Sequence, residues 1–528
     1  MNPKNIKYQS FNTFHPLVNC YFKEDEAVKN LYHRFPKLEN FEAQILEKKE
    51  NYSNEIRNTL VKSLQIQNQN INLSSQSSFN INALKKENTF TITTGHQLNL
   101  FTGPVYCIYK IVSVINLCET LKKQYPNYYF VPVFWMASED HDIDEIRFFN
   151  YNNQKITFES ENLGAVGKIS TENVKPLFEI IDHLFPDTEN GVFLKELFQK
   201  AYQLKTLADA TRFLVNTLFG DKGIVILDGD DALIKQKFSG ILKKELTQQF
   251  VFEEITKSFA GDKIKLQVNP RNINLFYLDE NLRERIVFEN NLFKINNTNL
   301  SFSQVEILDI LEKNPEKFSP NALLRPVYQE YILPNLCYVG GAAEIAYWLE
   351  LKSSFEAINL TFPMLLMRNS ALILKEKQVK KLEKLNLSLE DLLETPFNLI
   401  EKISKNLAKN KIDFEVQKQF LKDQFYKLYE IAKTTDISFD KAVAAQEKKQ
   451  LNGLEKLEKK LKKAEKRKNE SFFKQIELLQ KELFQDNTWQ ERHQNFSSFY
   501  LEYGDKFFTK LDQNFNPLDA EFNFFKLE

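Results

Sequence analysis

Two β-rich runs, Thr89-Phe90-Thr91-Ile92-Thr93 and Tyr128 to Trp135, flank a long apolar stretch from Val105 to Leu121, and this arrangement constrains the fold most. The first run alternates and ends at Gly95, as a strand does when it enters a turn. Gly103-Pro104 then opens the apolar stretch. Pro at a first helical position loses nothing, because its missing N–H has no intrahelical partner there, so a buried helix is expected. The second run is almost continuously apolar, which predicts a strand covered on both faces, as in a parallel sheet. Pro132 counts against a central position, since it cannot donate to the ladder. Strand, helix and strand within about 45 residues make a right-handed βαβ unit.

The rest of the chain extends this α/β core. Gly223 to Asp228 is a third strand candidate, Cys337 to Gly341 a fourth and Met364 to Met367 a fifth. The intervals between them exceed a crossover helix and read as inserted subdomains. Ile273 to Leu278 marks β structure in the second of these. Residues 1–85 read as helical, with Glu26 to Phe35 and Asn40 to Gln65 as segments and the polar stretch Asn68 to Asn82 as a loop. From about Lys375 the chain is helical and charged. Ile400 to Ile431 reads as one helix, and Thr434 to Asp440 as a turn in which Ser438 or Asp440 caps the next. Leu454, Leu457, Leu461, Ala464, Phe472, Ile476, Leu479 and Leu483 then form a seam, with a stutter between Leu461 and Phe472. The expected architecture is a parallel-sheet core with two inserted subdomains and a long C-terminal coiled coil. Its divisions are 1–85 helical, 86–145 core, 146–195 first insert, 196–231 core, 232–322 second insert, 323–374 core, 375–487 coiled-coil hairpin and 488–528 a return segment. An apolar seam on the hairpin favours a second copy of the chain.

Composition removes several function classes. The 528 residues carry 70 Lys+Arg against 71 Asp+Glu, a net charge of −1, so nothing favours nucleic acid. No apolar run reaches the roughly 18 residues that span a bilayer. The opening Met1-Asn2-Pro3-Lys4-Asn5 has no apolar h-region, and a cytoplasmic location is expected. Cys20, Cys107, Cys118 and Cys337 are scattered without zinc spacing, which predicts reduced thiols and no metal site. The basic run Lys456 to Lys468, interleaved with Glu458 and Glu465, reads as a solvated helix face.

Three segments could carry chemistry. Ligands of open α/β sheets bind beyond the carboxyl ends of the strands. Thr94-Gly95-His96-Gln97 lies at such an end, with Asn99, Thr102 and Gly103 before the helix. Polar side chains and free N–H groups there suit a carboxylate or phosphate, although His96 alone could be a satisfied structural residue. The pattern is neither GxGxxG nor a P-loop. Ser138-Glu139-Asp140-His141-Asp142 follows the second strand, with Asp144 and Glu145 after it. Carboxylates beside an imidazole shift one another's pKa and serve as acid, base or ligand; the plain alternative is an acidic turn capping a helix near Ile143. Asp228 ends the third strand. Gly340-Gly341 lets a backbone approach a ligand, and on a helix Glu344 would share a face with Tyr347 and Trp348.

Thr93 to Gln97, Phe101 to Pro104, the string from Val131 to Asp142, Gly340-Gly341 with Glu344 to Trp348, and Gln490-Glu491-Arg492 together resemble the bacillithiol biosynthesis cysteine-adding enzyme family over the full length. The resemblance implies a Rossmann-like core, two connecting inserts and a coiled coil used for dimerisation. It implies a carbon–nitrogen ligase that joins L-cysteine to the sugar amine of glucosaminyl malate. Asp140, His141, Asp142 and Glu344 become the catalytic candidates. Thr94, Gly95, His96, Gln97, Asn99, Thr102, Gly103, Ser138, Glu139, Asp228, Gly340, Gly341, Tyr347 and Trp348 become the substrate-binding ones, with His96 a hydrogen-bonding residue rather than an obligate base. A nucleotide near the coiled coil is also implied, with Arg492 as its candidate contact. Amide formation in water needs an activated carboxyl, and no activation motif is present. ATP or another nucleotide therefore follows from the reaction, not from a signature. Two alternatives stay open: an adenylating, nucleotidyl or aminoacyl transferase acting on another amine, and a non-catalytic coiled-coil scaffold with a relict α/β domain.

Overall fold

The computed structural model describes residues 5–10, 14–160, 164–261, 265–394, 396–407, 413–435, 438–468, 470–484 and 488–527. The chain divides into two compact units, one formed by residues 374–489 and the other by the remainder, including 490–528.

Five strands make the central sheet of the larger unit: β1 (Thr89–His96), β2 (Tyr129–Met136), β3 (Val225–Asp228), β4 (Asn335–Gly340) and β5 (Met364–Met367). All four pairings are parallel, and the spatial order is 3-2-1-4-5. This is the doubly wound, Rossmann-like order, in which winding reverses between the first strand and the fourth and opens a crevice at their carboxyl ends. Pro132 sits in a strand with neighbours on both sides, and it is tolerated because pairing with β3 begins only at Val133.

The first helix, α1 (Tyr106–Gln124), begins two residues later than Pro104; Val105 is its N-cap and Pro104 bridges to Asn495 instead. Its apolar character on all sides has a simple cause. Ile108, Ile111, Val112 and Ile115 join one core cluster, while Val114, Leu117 and Leu121 join the other, so both flanks of the helix are buried. Lys110 is the buried exception.

The first insert contains a hairpin, Phe148–Tyr151 with Gln154–Thr157, turned by Asn152 and Asn153 at positive φ. The second holds an antiparallel five-stranded sheet running from Leu275–Asp279 to Phe318–Pro320. The stretch expected to be a loop at Asn68 to Asn82 contains a helix, Ser75–Ala83. Ser74 caps it, and Ser77 and Asn80 bond the carbonyls of Ile224 and Gly223, so polar residues there serve tertiary contacts. Glu26–Leu31 is a short 3₁₀ helix, and Asn40 to Gln65 splits into Phe41–Asn51 and Asn54–Gln67.

In the other unit the expected helix from Ile400 to Ile431 is two helices, Pro396–Leu407 and Glu415–Ala432, with 408–412 outside the described residues. Ser438–Lys468 runs antiparallel to Glu415–Ala432: Lys418 pairs with Glu458 at 2.9 Å and Tyr429 bonds Glu447 at 3.0 Å. Part of the expected turn, residues 436–437, lies outside the described residues. The seam is split. Ile476, Leu479 and Leu483 are buried, whereas Leu457 and Leu461 are 50% and 44% exposed. Among the described residues no helix is long and apolar enough to cross a membrane.

Candidate active site

The reversal of winding sets Gly95-His96, at the end of β1, beside Gly340-Gly341 at the end of β4. The Thr94 hydroxyl donates to the Val339 carbonyl at 2.7 Å and locks the two strand ends together. Beyond β4 the chain enters α2 (Ala342–Leu349), with Gly341 at the N-cap. Glu344 turns back toward the strand end. Its carboxylate accepts from the Gly341 N–H at 2.8 Å and the Tyr338 hydroxyl at 2.5 Å, and pairs with the Lys110 ammonium at 2.5 Å. Lys110 also donates to the Gly95 carbonyl at 2.8 Å, which ties α1, β1 and α2 into one knot. Burial raises the Glu344 pKa, but Lys110, Tyr338 and the Gly341 N–H outweigh it and bring it to about 2. Glu344 is thus a fixed anion.

Cations crowd this end of the sheet. Lys110, Arg368 and Arg492 gather around the Tyr106 ring at 5.9, 5.1 and 5.8 Å from its centroid. Arg368 follows β5, and Glu491 grips it bidentately at 2.6 and 3.0 Å. Arg325 lies against Tyr338, donating to Gln329 at 2.9 Å and to the Tyr347 hydroxyl at 3.3 Å. His96 packs edge-on against Tyr106, its centroid 5.2 Å away, and its buried Nε2 has no hydrogen-bond partner. Burial, reinforced by the Lys110 charge, takes the His96 pKa down to about 3. At that pKa the imidazole is neutral and a weak base.

The second loop forms another wall. Asp140 accepts from Gln97 at 2.9 Å and from the His141 N–H at 2.7 Å. Burial opposes ionisation, yet bonds from His141 and Gln97 and the nearby Arg283 hold this carboxyl well below the usual range. Arg283, from the second insert, stacks on Phe276 and meets His141 Nδ1 at 2.8 Å. Asp142 caps the short helix Ile143–Ile146 by accepting from the Glu145 N–H. Ser138 bonds Asp228, and Glu139 pairs with Lys235 at 2.6 Å, itself paired with Asp230 at 2.9 Å. Lys235 stays cationic despite burial because two carboxylates flank it. Gln97 also bonds Glu145 at 2.7 Å and so joins the two loops.

Some expected contacts are sealed. Trp348 is fully buried and stacks on Tyr338 at 4.3 Å, so it packs the wall from behind and does not line it. Thr94 is likewise fully buried. Gly103 has φ +63, and a Cβ there would lie 2.5 Å from Asn99 Cβ, so this glycine answers a backbone demand. Asn99 donates to the Glu145 carbonyl, while Asn99 Oδ1 and Thr102 Oγ1 are buried without hydrogen-bond partners among the described residues. Arg492 belongs to the same unit as the sheet and stands at the strand ends rather than among the coiled-coil residues. Lys110, Arg325, Arg368, Arg283 and Lys235 were not anticipated. A lone lysine in an apolar helical run was a readable signal for Lys110; the others come from insert and connecting segments whose placement only tertiary structure reveals. Among the described residues no group of three or more His, Cys, Asp or Glu is arranged to hold a metal ion. All four cysteines are free, three of them buried.

Comparison with known proteins extends to nearly the whole chain. A protein of Flavobacterium johnsoniae, called "Putative cysteine ligase BshC", is 50% identical over 520 residues, covering 98% of each chain. One of the same name from Flavobacterium psychrophilum is 48% identical over 524 residues, 99% of each. Another from Bacillus cytotoxicus is 28% identical over 478 residues, 86% of this chain and 88% of that protein. The model of the BshC N-terminal Rossmann-like domain matches residues 1–369 and that of its C-terminal coiled-coil domain matches residues 371–527, so the chain belongs to the bacillithiol biosynthesis BshC family.

Proposed function

We propose that the chain is a cytoplasmic carbon–nitrogen ligase that joins the carboxyl of L-cysteine to the sugar amine of glucosaminyl malate. The observation that carries this reading is the full-length family match. The site is compatible with it chemically: the fixed anion at Asp140 suits an ammonium group, and a cation-rich strand end suits carboxylates.

In the proposed reaction the cysteine carboxylate is first activated as an acyl phosphate or acyl adenylate, with ATP or another nucleotide as donor. The acceptor ammonium first loses a proton to solvent; the free amine then attacks, a C–N bond forms, the C–O bond to phosphate or AMP breaks, and the second N–H proton leaves with the departing phosphate or to solvent. Asp140, ionised at neutral pH, holds the incoming ammonium through charge. Glu344 is a positioning residue: three donors already occupy it, so it orients substrate and keeps Lys110 in place.

Purified protein incubated with L-cysteine, glucosaminyl malate and ATP should yield the cysteinyl amide and consume one ATP per bond, releasing either ADP and phosphate or AMP and pyrophosphate. In cells, deleting the gene should abolish bacillithiol and accumulate glucosaminyl malate. Unchanged bacillithiol in the deletion strain would overturn the reading. Pyrophosphate exchange into ATP driven by a different amino acid would redirect it to another amine.

A further inference from the structure

Cations at the strand ends fall into two groups. Lys110 is neutralised by Glu344 at 2.5 Å, and Arg368 by Glu491 at 2.6 Å. Arg492 is different. It is exposed, and among the described residues no ion pair or hydrogen bond engages its guanidinium, although it stands 5.8 Å from the Tyr106 centroid. Its backbone is fixed from both preceding residues. Gln490 accepts from the Ile373 N–H at 2.9 Å and donates to the Ile373 carbonyl at 3.0 Å, and Glu491 holds Arg368 bidentately. With the backbone held, only the rotamers of the arginine side chain itself remain to be ordered when it binds an anion. Two unpartnered polar atoms lie in the same region: Arg368 Nε, with Arg368 only 3% exposed, and His96 Nε2, with His96 7% exposed. Buried polar atoms without partners are uncommon and point to a group that completes them.

We infer that Arg492, carried on the Gln490-Glu491 clamp, reads a carboxylate of the acidic aglycone of the acceptor, with Arg368 Nε and His96 completing the anion subsite. This rests on the ligase reading above. The C-terminal return segment then supplies a specificity-determining residue to a site otherwise built from the sheet. A neutral His96 can donate from Nε2 to a carboxylate without adding charge. Arg492 supplies the charge, in the planar two-donor form that matches a carboxylate.

The test compares wild type with Arg492→Gln and Arg492→Lys in three measurements: calorimetric binding of glucosaminyl malate, binding of ATP, and kinetics with L-cysteine and ATP saturating. Loss of one charge-assisted contact should weaken glucosaminyl malate binding and raise its KM by about tenfold or more in Arg492→Gln. The expected split is a raised acceptor KM, unchanged kcat, unchanged ATP binding, and partial recovery in Arg492→Lys. Glucosamine lacking the malyl group should bind the variants and wild type equally. If wild type binds glucosaminyl malate and Arg492→Gln binds it equally well, this inference is overturned and the ligase reading stands. If Arg492→Gln instead weakens ATP while leaving the acceptor unaffected, the inference is also overturned, in favour of a nucleotide contact. If wild type fails to bind glucosaminyl malate and forms no amide from it, the ligase reading falls and this inference with it.

Discussion

Glu344 and Lys110 form an ion pair in which the lysine is buried and the carboxylate is partly exposed, at 23%. Removing one partner of a buried pair leaves the other charge uncompensated, at roughly 3–5 kcal/mol. Glu344 keeps the Tyr338 hydroxyl and the Gly341 N–H, so Lys110→Met should cost about 3 kcal/mol, the lower end of that range. Adding Glu344→Gln should recover part of it, and a double-mutant cycle by urea unfolding measures the coupling; strictly additive losses would refute the pairing. His96 makes a pH prediction. Its folded pKa of about 3 lies below its unfolded value near 6.5, so the unfolded chain binds the extra proton as pH falls through 6.5. The stability that neutral His96 contributes is complete above pH 6.5 and is lost progressively toward pH 3. Between the neutral plateau and pH 5 the loss is about 2 kcal/mol. His96→Gln should therefore show a shallower decline in unfolding free energy over that window, and identical slopes for both proteins would exclude the shifted imidazole.

Among elements, the loop between β1 and α1 depends on a distant partner. Phe101, Thr102 and Gly103 all have positive φ, a costly run for two non-glycine residues. Asn495 offsets this by donating to the Phe101 carbonyl at 2.8 Å and the Gly103 carbonyl at 2.6 Å, and the Tyr202 hydroxyl accepts from the Phe101 N–H. Asn495→Ala leaves two buried carbonyls unsatisfied and should destabilise by about 2–3 kcal/mol. It should also raise amide hydrogen exchange at residues 100–105 well before global unfolding; protection unchanged there would mean that the loop holds itself. The same loop shows why sequence reading stopped where it did. Strand, turn and helix from Thr89 to Leu121 followed from local patterns, because alternation, Gly and Pro act on their own neighbours. Pro104 misled by two positions, since the helix starts at Tyr106 and Pro104 bridges to Asn495. Glu344 and the Asp140 loop were legible as polar residues at strand ends. Arg368 and Arg283 were not, because no periodicity marks a guanidinium whose partner lies more than a hundred residues away, and Arg325 gave no local signal that it faces the strand ends. Polar Asn68 to Asn82 looked like a loop for the same reason: its amides and hydroxyls satisfy remote carbonyls rather than solvent.

At the scale of the whole molecule, the coiled-coil unit leaves apolar surface that its own helices do not cover. The pairs Lys418–Glu458 and Tyr429–Glu447 fix the antiparallel register, in which residue 416 stands level with 460 and residue 420 with 456. Val416 and Phe420, 77% and 65% exposed, therefore lie at the same height along the hairpin as the exposed Leu457 and Leu461. Each pair is spaced by four residues, which puts its members on one face of their helix. Elsewhere the same hairpin buries Phe425, Ala432 and Val443 against one another, so its interior is already complete. Exposed apolar residues grouped at one level, flanked by charged ones, favour association, and an antiparallel hairpin meets a second copy most simply across a two-fold axis. We propose a homodimer through this surface. Sedimentation of the full chain at micromolar concentration should give twice the monomer mass, and Phe420→Lys with Leu457→Lys should return it to the monomer mass. Both sites are solvent-exposed in the single chain, so helicity and the unfolding midpoint of the monomer should hardly change. A wild-type monomer at that concentration, or a charged variant that still sediments as a dimer, would place the association elsewhere or exclude it.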